Sequence, residues 1–284
     1  MRNIRRMGIH TGGGRAIFSG GNAPSDVIDY VTISTLGNAT DFGNLTSAEL
    51  SDAFASTTRG VIRLAATYNY IHIASTGNAT NFGNALENGA NNACCSSNVR
   101  GLIGGRYTGS RSNVIEYVTI ATLGNGSDFG DLTVGRSNGV GFSSPTRGVF
   151  CCGFGSGDEN VIDYVTIATT GNATDFGDSA RAVSGPAGFS SATRGVICGG
   201  TNVIDYVTIA STGNATDFGD LSSSRQFFGG ASTQIRGVVG GGSGPINTIE
   251  YVTIANTENA TDFGDLTVAR AFVGGCSDSH GGLL

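Results

Sequence analysis

Tryptophan and lysine are both missing from this chain. All of its positive charge is carried by 16 arginines, set against 22 acids for a formal net charge of −6. A protein that tracks phosphates needs a basic face. The only clustered arginines are Arg2, Arg5 and Arg6, which read as a solvated tail or as a peptide arm that docks on a partner. Nucleic acid is therefore not an expected partner. Long apolar runs are lacking too. None approaches the ~20 residues of a membrane helix, so membrane insertion is not expected. The early arginines are followed by Gly8-Ile9-His10-Thr11-Gly12 rather than by the apolar stretch of a secretory signal. The expectation is a soluble chain made in the cytoplasm without a signal peptide. No C-x-x-C spacing occurs among Cys94, Cys95, Cys151, Cys152, Cys198 and Cys276, which gives zinc little support. In strand-like, glycine-rich surroundings these cysteines read as small reduced core residues, with a disulfide between repeats as the competing reading.

What is abundant is glycine, 47 residues of 284, about twice average usage. It is joined to many Val, Ile, Phe and Tyr rather than to charge, so this is not a disordered composition. The chain is organised around one stretch, Val161-Ile-Asp-Tyr-Val-Thr-Ile167 followed by Gly171-Asn-Ala-Thr-Asp-Phe-Gly177, which recurs six times. The Phe of its Asp/Asn-Phe-Gly falls at Phe42, Phe82, Phe129, Phe176, Phe218 and Phe263, at spacings of 40, 47, 47, 42 and 45. The Tyr before it falls at Tyr30, Tyr70, Tyr117, Tyr164, Tyr206 and Tyr251. An Arg-Gly follows the Phe by 17 or 18 residues at Arg59, Arg100, Arg147, Arg194 and Arg236; Arg15 fills an equivalent slot before the first Tyr, and His280 lies 17 residues after the last Phe.

One unit holds a short Arg-Gly run of small and apolar residues, then a β-branched and aromatic strand with apolar residues on both faces, and two further short runs. Gly-Asn-Ala-Thr-Asp-Phe-Gly has turn chemistry. Four short strands in each ~40–50 residues, without helical periodicity, are the signature of a propeller blade. The Gly- and Cys-rich Arg-Gly run is expected at the crowded innermost position. Six copies predict an all-β, six-bladed propeller over residues 12–284, with an N-terminal arm at 1–11. Pairing Arg15–Gly21 with Ala271–Ser277 would complete a split blade and remove both sheet edges. His280-Gly-Gly-Leu-Leu is left over, to lie beside that strand or to reach a neighbouring subunit.

Gly199-Gly200, Ile204-Asp205-Tyr206, Phe218, Leu221, Arg225 and Gly240-Gly241 together resemble the Kelch repeat, with Phe in place of its Trp. The wording Asp-Tyr-Val-Thr-Ile-Ala…Gly-Asn-Ala-Thr-Asp-Phe-Gly-Asp-Leu-Thr is similar to repeats in virion and tail-associated proteins of marine cyanobacterial phages. That resemblance covers nearly the whole chain. It implies a non-enzymatic, virion-located structural or attachment protein: a tail fibre, spike or other appendage. Its partners would be other virion proteins and a host surface receptor or glycan, with homo-oligomerisation an option. The alternatives are a cellular Kelch-type interaction scaffold and a glycan-acting propeller enzyme. The loops before each Tyr differ most and are the candidate contact face: Asn22-Ala-Pro-Ser-Asp, Arg106-Tyr-Thr-Gly-Ser-Arg, Phe154-Gly-Ser-Gly-Asp-Glu and Gly242-Ser-Gly-Pro.

No residue set specifies a reaction, a metal or a cofactor. Asp-Phe-Gly occurs in five of the six units without the other kinase signatures and reads as a turn. Acid pairs such as Asp128/Asp131 and Asp175/Asp178 could hold calcium but lack dense ligand spacing, so they read as turn caps. The sequons at Asn38, Asn78, Asn125, Asn172, Asn214 and Asn259 repeat because the turn needs Asn. His10, His72 and His280 are scattered. The arginines Arg15, Arg59, Arg100, Arg147, Arg194 and Arg236 recur with an acid before the Tyr: Asp29, Glu116, Asp163, Asp205 and Glu250. They are expected to form a ring of ion pairs or arginine-to-carbonyl bonds that clamps neighbouring blades. Units one and two break the pattern. The late Arg of the other units (Arg136, Arg181, Arg225, Arg270) is Glu49 and Gly89 there, and unit two reads Arg63-Leu-Ala-Ala66 where a Gly-Gly belongs. Either this is drift or a specific contact lives there.

Overall fold

The computed structural model describes residues 13–22 and 25–283. The expected arm at 1–11, with Arg2, Arg5, Arg6 and His10, lies outside the described residues, as do Ala23 and Pro24 of the first loop. The rest forms six four-stranded antiparallel sheets arranged in a ring, a six-bladed β-propeller.

Blade 1 holds β1 (Arg15–Ser19), β2 (Val27–Thr32) and β3 (Thr40–Asn44). Blade 2 holds β4 (Asp52–Ala55), β5 (Arg59–Arg63), β6 (Thr67–His72) and β7 (Thr80–Asn84). Blade 3 holds β8 (Ala93–Ser96), β9 (Arg100–Tyr107), β10 (Arg111–Thr119) and β11 (Ser127–Asp131). Blade 4 holds β12 (Val140–Ser143), β13 (Arg147–Phe154), β14 (Asp158–Thr166) and β15 (Thr174–Asp178). Blade 5 holds β16 (Ala187–Ser190), β17 (Arg194–Cys198), β18 (Val203–Thr208) and β19 (Thr216–Asp220). Blade 6 holds β20 (Gly229–Ser232), β21 (Arg236–Gly240), β22 (Ile246–Thr253) and β23 (Thr261–Arg270). The last strand, β24 (Gly274–Ser277), returns to blade 1 and pairs antiparallel with β1, Ala16 opposite Ser277. The ring is thus closed by its two chain ends.

The innermost strands are β4, β8, β12, β16, β20 and β24, which neighbour one another around the axis. This corrects the expectation that the Arg-Gly run lies innermost; that run is the second strand of each blade. The axial strand carries Ala53, Cys94, Gly141, Gly188, Gly230 or Gly275 as its second residue, on the channel wall. A β-carbon on Gly141 would stand 2.5 Å from the Cys94 carbonyl oxygen. Crowding at the axis thus restricts a single position per blade, to glycine in four blades and to Ala53 and Cys94 in the other two.

Alternation along the third strand sends one set of side chains toward each neighbouring blade. The result is six hydrophobic clusters, each shared by two adjacent blades. The cluster between blades 4 and 5, for example, joins Phe142, Val149, Ile162 and Phe176 to Ile197, Val207 and Ile209.

Asp-Phe-Gly is not a turn. It forms the outermost strand, β15 in blade 4, with the Phe176 side chain buried at 2% exposure and edge-on to Tyr164. The pairing of β14 with β15 slips by one residue between Ile162 and Asp163, which leaves Phe176 as the extra residue of a bulge beside Gly177. Gly177 has φ +140°, and a β-carbon there would stand 2.6 Å from the Gly213 carbonyl oxygen of blade 5. Glycine is needed both for the bulge and for the next blade's approach. Gly177→Ala is therefore expected to destabilise the protein by ~1–3 kcal/mol in urea unfolding. Gly157→Ala, with nothing within 4 Å of the new β-carbon, should leave the midpoint unchanged.

Candidate functional site

The arginines at the starts of the second strands form a complete ring. Arg15, Arg59, Arg100, Arg147, Arg194 and Arg236 each lie over a tyrosine of their own blade, 4.3–4.7 Å from the ring centroid. Each also donates from Nη1 to a carbonyl of the next blade, in order Ile73, Ile120, Ile167, Ile209, Ile254 and Ile33, at 2.7–2.9 Å. The clamp is arginine to carbonyl, held straight by cation–π stacking.

The expected ion pairs with the acids before the tyrosines do not form. Strand register is the reason. Arg147 stands opposite Thr166, whereas Asp163 stands opposite Phe150, about 10 Å further along the strand. The acids instead meet the arginine of the segment arriving from the preceding blade, a linker for blades 4 to 6 and the end of β23 for blade 1. Arg136 reaches Asp163 at 2.8 Å, Arg181 reaches Asp205 at 2.9 Å, and Arg270 reaches Asp29 at 2.8 Å. Arg225 pairs with Glu250. Linker groups complete the acids' bonding: Thr133 Oγ1 donates to Asp163 and Thr267 Oγ1 to Asp29, both at 2.6 Å. These pairs are buried, except that Arg181 is half-buried, and burial pushes the Asp29 carboxyl up and the Arg270 and Arg225 guanidinium groups down from their ordinary values, against the attraction between the partners.

Units one and two are rewired rather than drifted. Where the linker arginine becomes Glu49, the acid it would meet has become Asn69, whose Oδ1 accepts from Thr46 N at 2.9 Å and Thr46 Oγ1 at 2.8 Å. Glu49 turns away to accept from Ala65 N at 2.9 Å and Ser47 Oγ at 2.8 Å. Where the arginine becomes Gly89, Glu116 is served by Arg63 at 3.3 Å and Arg106 at 3.4 Å. The Tyr68 hydroxyl also donates to Glu116 at 2.7 Å, and burial with that carboxylate pushes the phenol well above its ordinary value. Asn69 escaped the sequence reading although its place before Tyr70 marks it.

The sequon asparagines bind between blades rather than capping their own turns. Asn38, Asn78, Asn125, Asn172, Asn214 and Asn259 each accept through Oδ1 from a backbone N–H of the preceding blade's outer strand, at 2.9–3.1 Å. No group of three or more metal-ligating His, Cys, Asp or Glu exists among the described residues, the acid pairs along those strands included. The six cysteines are unbridged, five of them buried.

The C-terminal residues neither lie beside β1 nor reach outward. Gly281, Gly282 and Leu283 are buried at one end of the axial channel, where Gly281 N donates to Ser190 O at 2.9 Å. A β-carbon on Gly282 would stand 1.9 Å from Ser96 O, so only glycine fits. Around that end, Ser96, Ser143, Ser190, Ser232 and Ser277 each donate from Oγ to the carbonyl of the preceding inner strand, at 2.5–2.8 Å. His280 Nε2 lies 3.2 Å from Ser96 Oγ and 3.1 Å from Ala55 O. Its Nδ1 accepts from Gly282 N at 3.1 Å, so Nε2 carries the proton and donates. The contact with Ser96 is thus a structural bond, not a base poised on a nucleophile.

The other end of the channel is the loop face. The variable loops of blades 3, 4 and 6, and the described residues of the first one, connect second to third strands and emerge there, together with the linkers between blades. The hairpins of blades 3 and 4 are the longest, β9–β10 and β13–β14, and Arg111 bridges them over the rings of Tyr107 at 5.3 Å and Phe154 at 4.7 Å. The channel mouth within this face is lined by Ser51, Asp52, Asn91, Asn92, Asn138 and the phenylalanines 227, 228 and 272, among others.

No helix among the described residues is long and apolar enough to cross a membrane. No protein-family model matches the chain, and no curated protein matches it.

Two predictions follow from these rings. Asp163→Leu alone strands Arg136 in the interior and should cost about 3–5 kcal/mol, whereas Asp163→Leu combined with Arg136→Met should recover most of that loss, read as a double-mutant cycle in urea. Burial lowers His280 to about 4, while a free histidine titrates near ~6.5. The folded protein therefore refuses a proton that the unfolded chain accepts, so the contribution of His280 to stability is whole above pH ~6.5 and falls as pH drops toward 4. His280→Gln should lack that component, and its midpoint deficit against the parent protein should shrink between those pH values in thermal unfolding followed by circular dichroism.

Proposed function

We propose that this propeller is a non-enzymatic component of a phage particle, carried on a tail fibre, spike or similar appendage. Its loop face would be presented to a host surface receptor or glycan, or to adjacent virion subunits. One observation carries the reading. The six blades repeat their arginine and asparagine rings where they touch one another and diverge, among the described residues, where their second-to-third loops emerge on one face. A rigid disc with one variable face is suited to recognition. The likeness of the repeat wording to Kelch units and to cyanophage virion and tail-associated proteins supplies the setting. In that setting the virion would be the site of residence and other virion proteins the structural partners, in copy numbers set by particle symmetry.

The test has two parts. Purified particles should contain the chain by mass spectrometry, and the recombinant propeller should compete with particles for adsorption to host cells. Absence of the chain from purified particles would sink the virion reading. Presence without competition would restrict the role to assembly.

A further inference from the structure

The mouth of the channel contains a half-buried acid that stands outside the ion pairs. Asp29, Glu116, Asp163, Asp205 and Glu250 each have an arginine partner. Asp52, the first residue of β4, takes part in none of the ion pairs among the described residues. Its Oδ2 accepts from Asn92 N at 2.9 Å and from Asn92 Nδ2 at 2.8 Å. Burial pushes the Asp52 carboxyl up, against the two Asn92 bonds and the attraction of Arg63, which stands opposite it on β5.

Acceptors gather around it. Asn92 is 4% exposed. Because its Nδ2 faces the carboxylate, its Oδ1 is turned away, and that oxygen has no hydrogen-bond partner; neither does Oδ1 of Asn138. The backbone offers no donors in exchange. Asn138 N bonds Asn91 O at 2.8 Å, Gly185 N bonds Asn138 O at 2.8 Å, Phe227 N bonds Gly185 O at 2.7 Å, and Phe272 N bonds Phe227 O at 2.6 Å. This necklace consumes the N–H groups around the mouth.

The opposite wall is aromatic. Phe227 and Phe272 stack at 4.2 Å between centroids. Both hold left-handed backbone, φ +58° and +59°, a costly conformation for bulky residues. The equivalent positions in blades 3, 4 and 5 are Asn91, Asn138 and Gly185, residue types that enter this region readily. The phenylalanines are thus held at the mouth against backbone preference. Carboxylate, carbonyl acceptors and π faces complement a group that carries positive charge and N–H donors. The space at the mouth, about 50 Å³ and open to solvent on one side, admits a head group and not a whole small molecule.

We propose that the channel mouth binds the head of an alkylammonium or alkylguanidinium cation, with Asp52 and the Asn92 and Asn138 carbonyl oxygens accepting its protons and Phe272 and Phe227 covering its apolar side. The cation is either a free small amine or the side chain of a lysine or arginine on a partner protein. The site stands on the mouth geometry alone and does not depend on the virion reading.

The experiment is an NMR titration of the full chain with methylguanidinium and, in a second arm, with a glycine-flanked arginine peptide. The expected result is saturable shifts of the Asn92 and Asn138 side-chain amides, with Kd on the order of 1 mM for the small cation. Tetramethylammonium, which has no N–H, should bind more weakly. Asp52→Asn should weaken binding by at least about tenfold, as loss of a charge-assisted bond does. Should that variant fail to fold, Asn138→Gly and Phe272→Asn keep residue types suited to the left-handed backbone and should weaken binding without unfolding the protein. A peptide that binds more tightly than methylguanidinium identifies a partner side chain as the source, and equal affinity identifies a free cation. Absence of shifts at the mouth, or binding indifferent to Asp52→Asn, Asn138→Gly and Phe272→Asn, overturns the site.

Discussion

Every blade depends on its neighbours to bury its apolar faces. The six hydrophobic clusters lie between blades rather than within them, so a single four-stranded unit has no core of its own. A ring is the arrangement in which all such faces are covered and no edge blade is left exposed. This is why the chain ends must pair, β24 against β1, and why the inter-blade contacts are so repetitive. Closing the sixth interface requires the same geometry as the other five.

The polar rings solve a problem that this packing creates. Strands covered on both faces leave loop carbonyls and linker N–H groups buried at the seams, where unpaired polar groups are costly. Arginines over tyrosines reach the carbonyl ends of the third strands. Acids on the third strands gather the arriving linkers. Asparagines stitch the outer rim, and serines the axis. The rewiring around Asn69, Glu49 and Arg63 shows that the requirement is satisfaction at each seam, not a particular residue pair.

Function separates from this framework by position. The seams constrain one end of each blade and its two faces, leaving the second-to-third loops free to vary on the loop face. The tail with Gly281 and Gly282 occupies the opposite end of the channel, so the mouth beside Asp52 is where the axis meets that variable face.

The repeat itself was legible in the sequence because its period, its β-branched strand and its Gly-Phe pattern are local properties. Six copies dictated six blades, and the two half-units at the ends dictated closure. Other features depended on register and could not be read locally. Asp-Phe-Gly looked like a turn because its Gly and Asp have turn chemistry, but a bulge lets both sit in an edge strand against the next blade. Arg147 and Asp163 looked like partners because they recur together, but antiparallel pairing sets them about 10 Å apart. The adjacency of Asp52, Asn92, Asn138 and Phe272, contributed by four different blades, existed only once the ring had closed. Sequence by itself determined the fold, since each blade's pattern is written within its own forty-odd residues. The tertiary structure alone decided which charges meet and which acid stays outside the ion pairs, because those contacts join residues that only strand register and ring closure bring together.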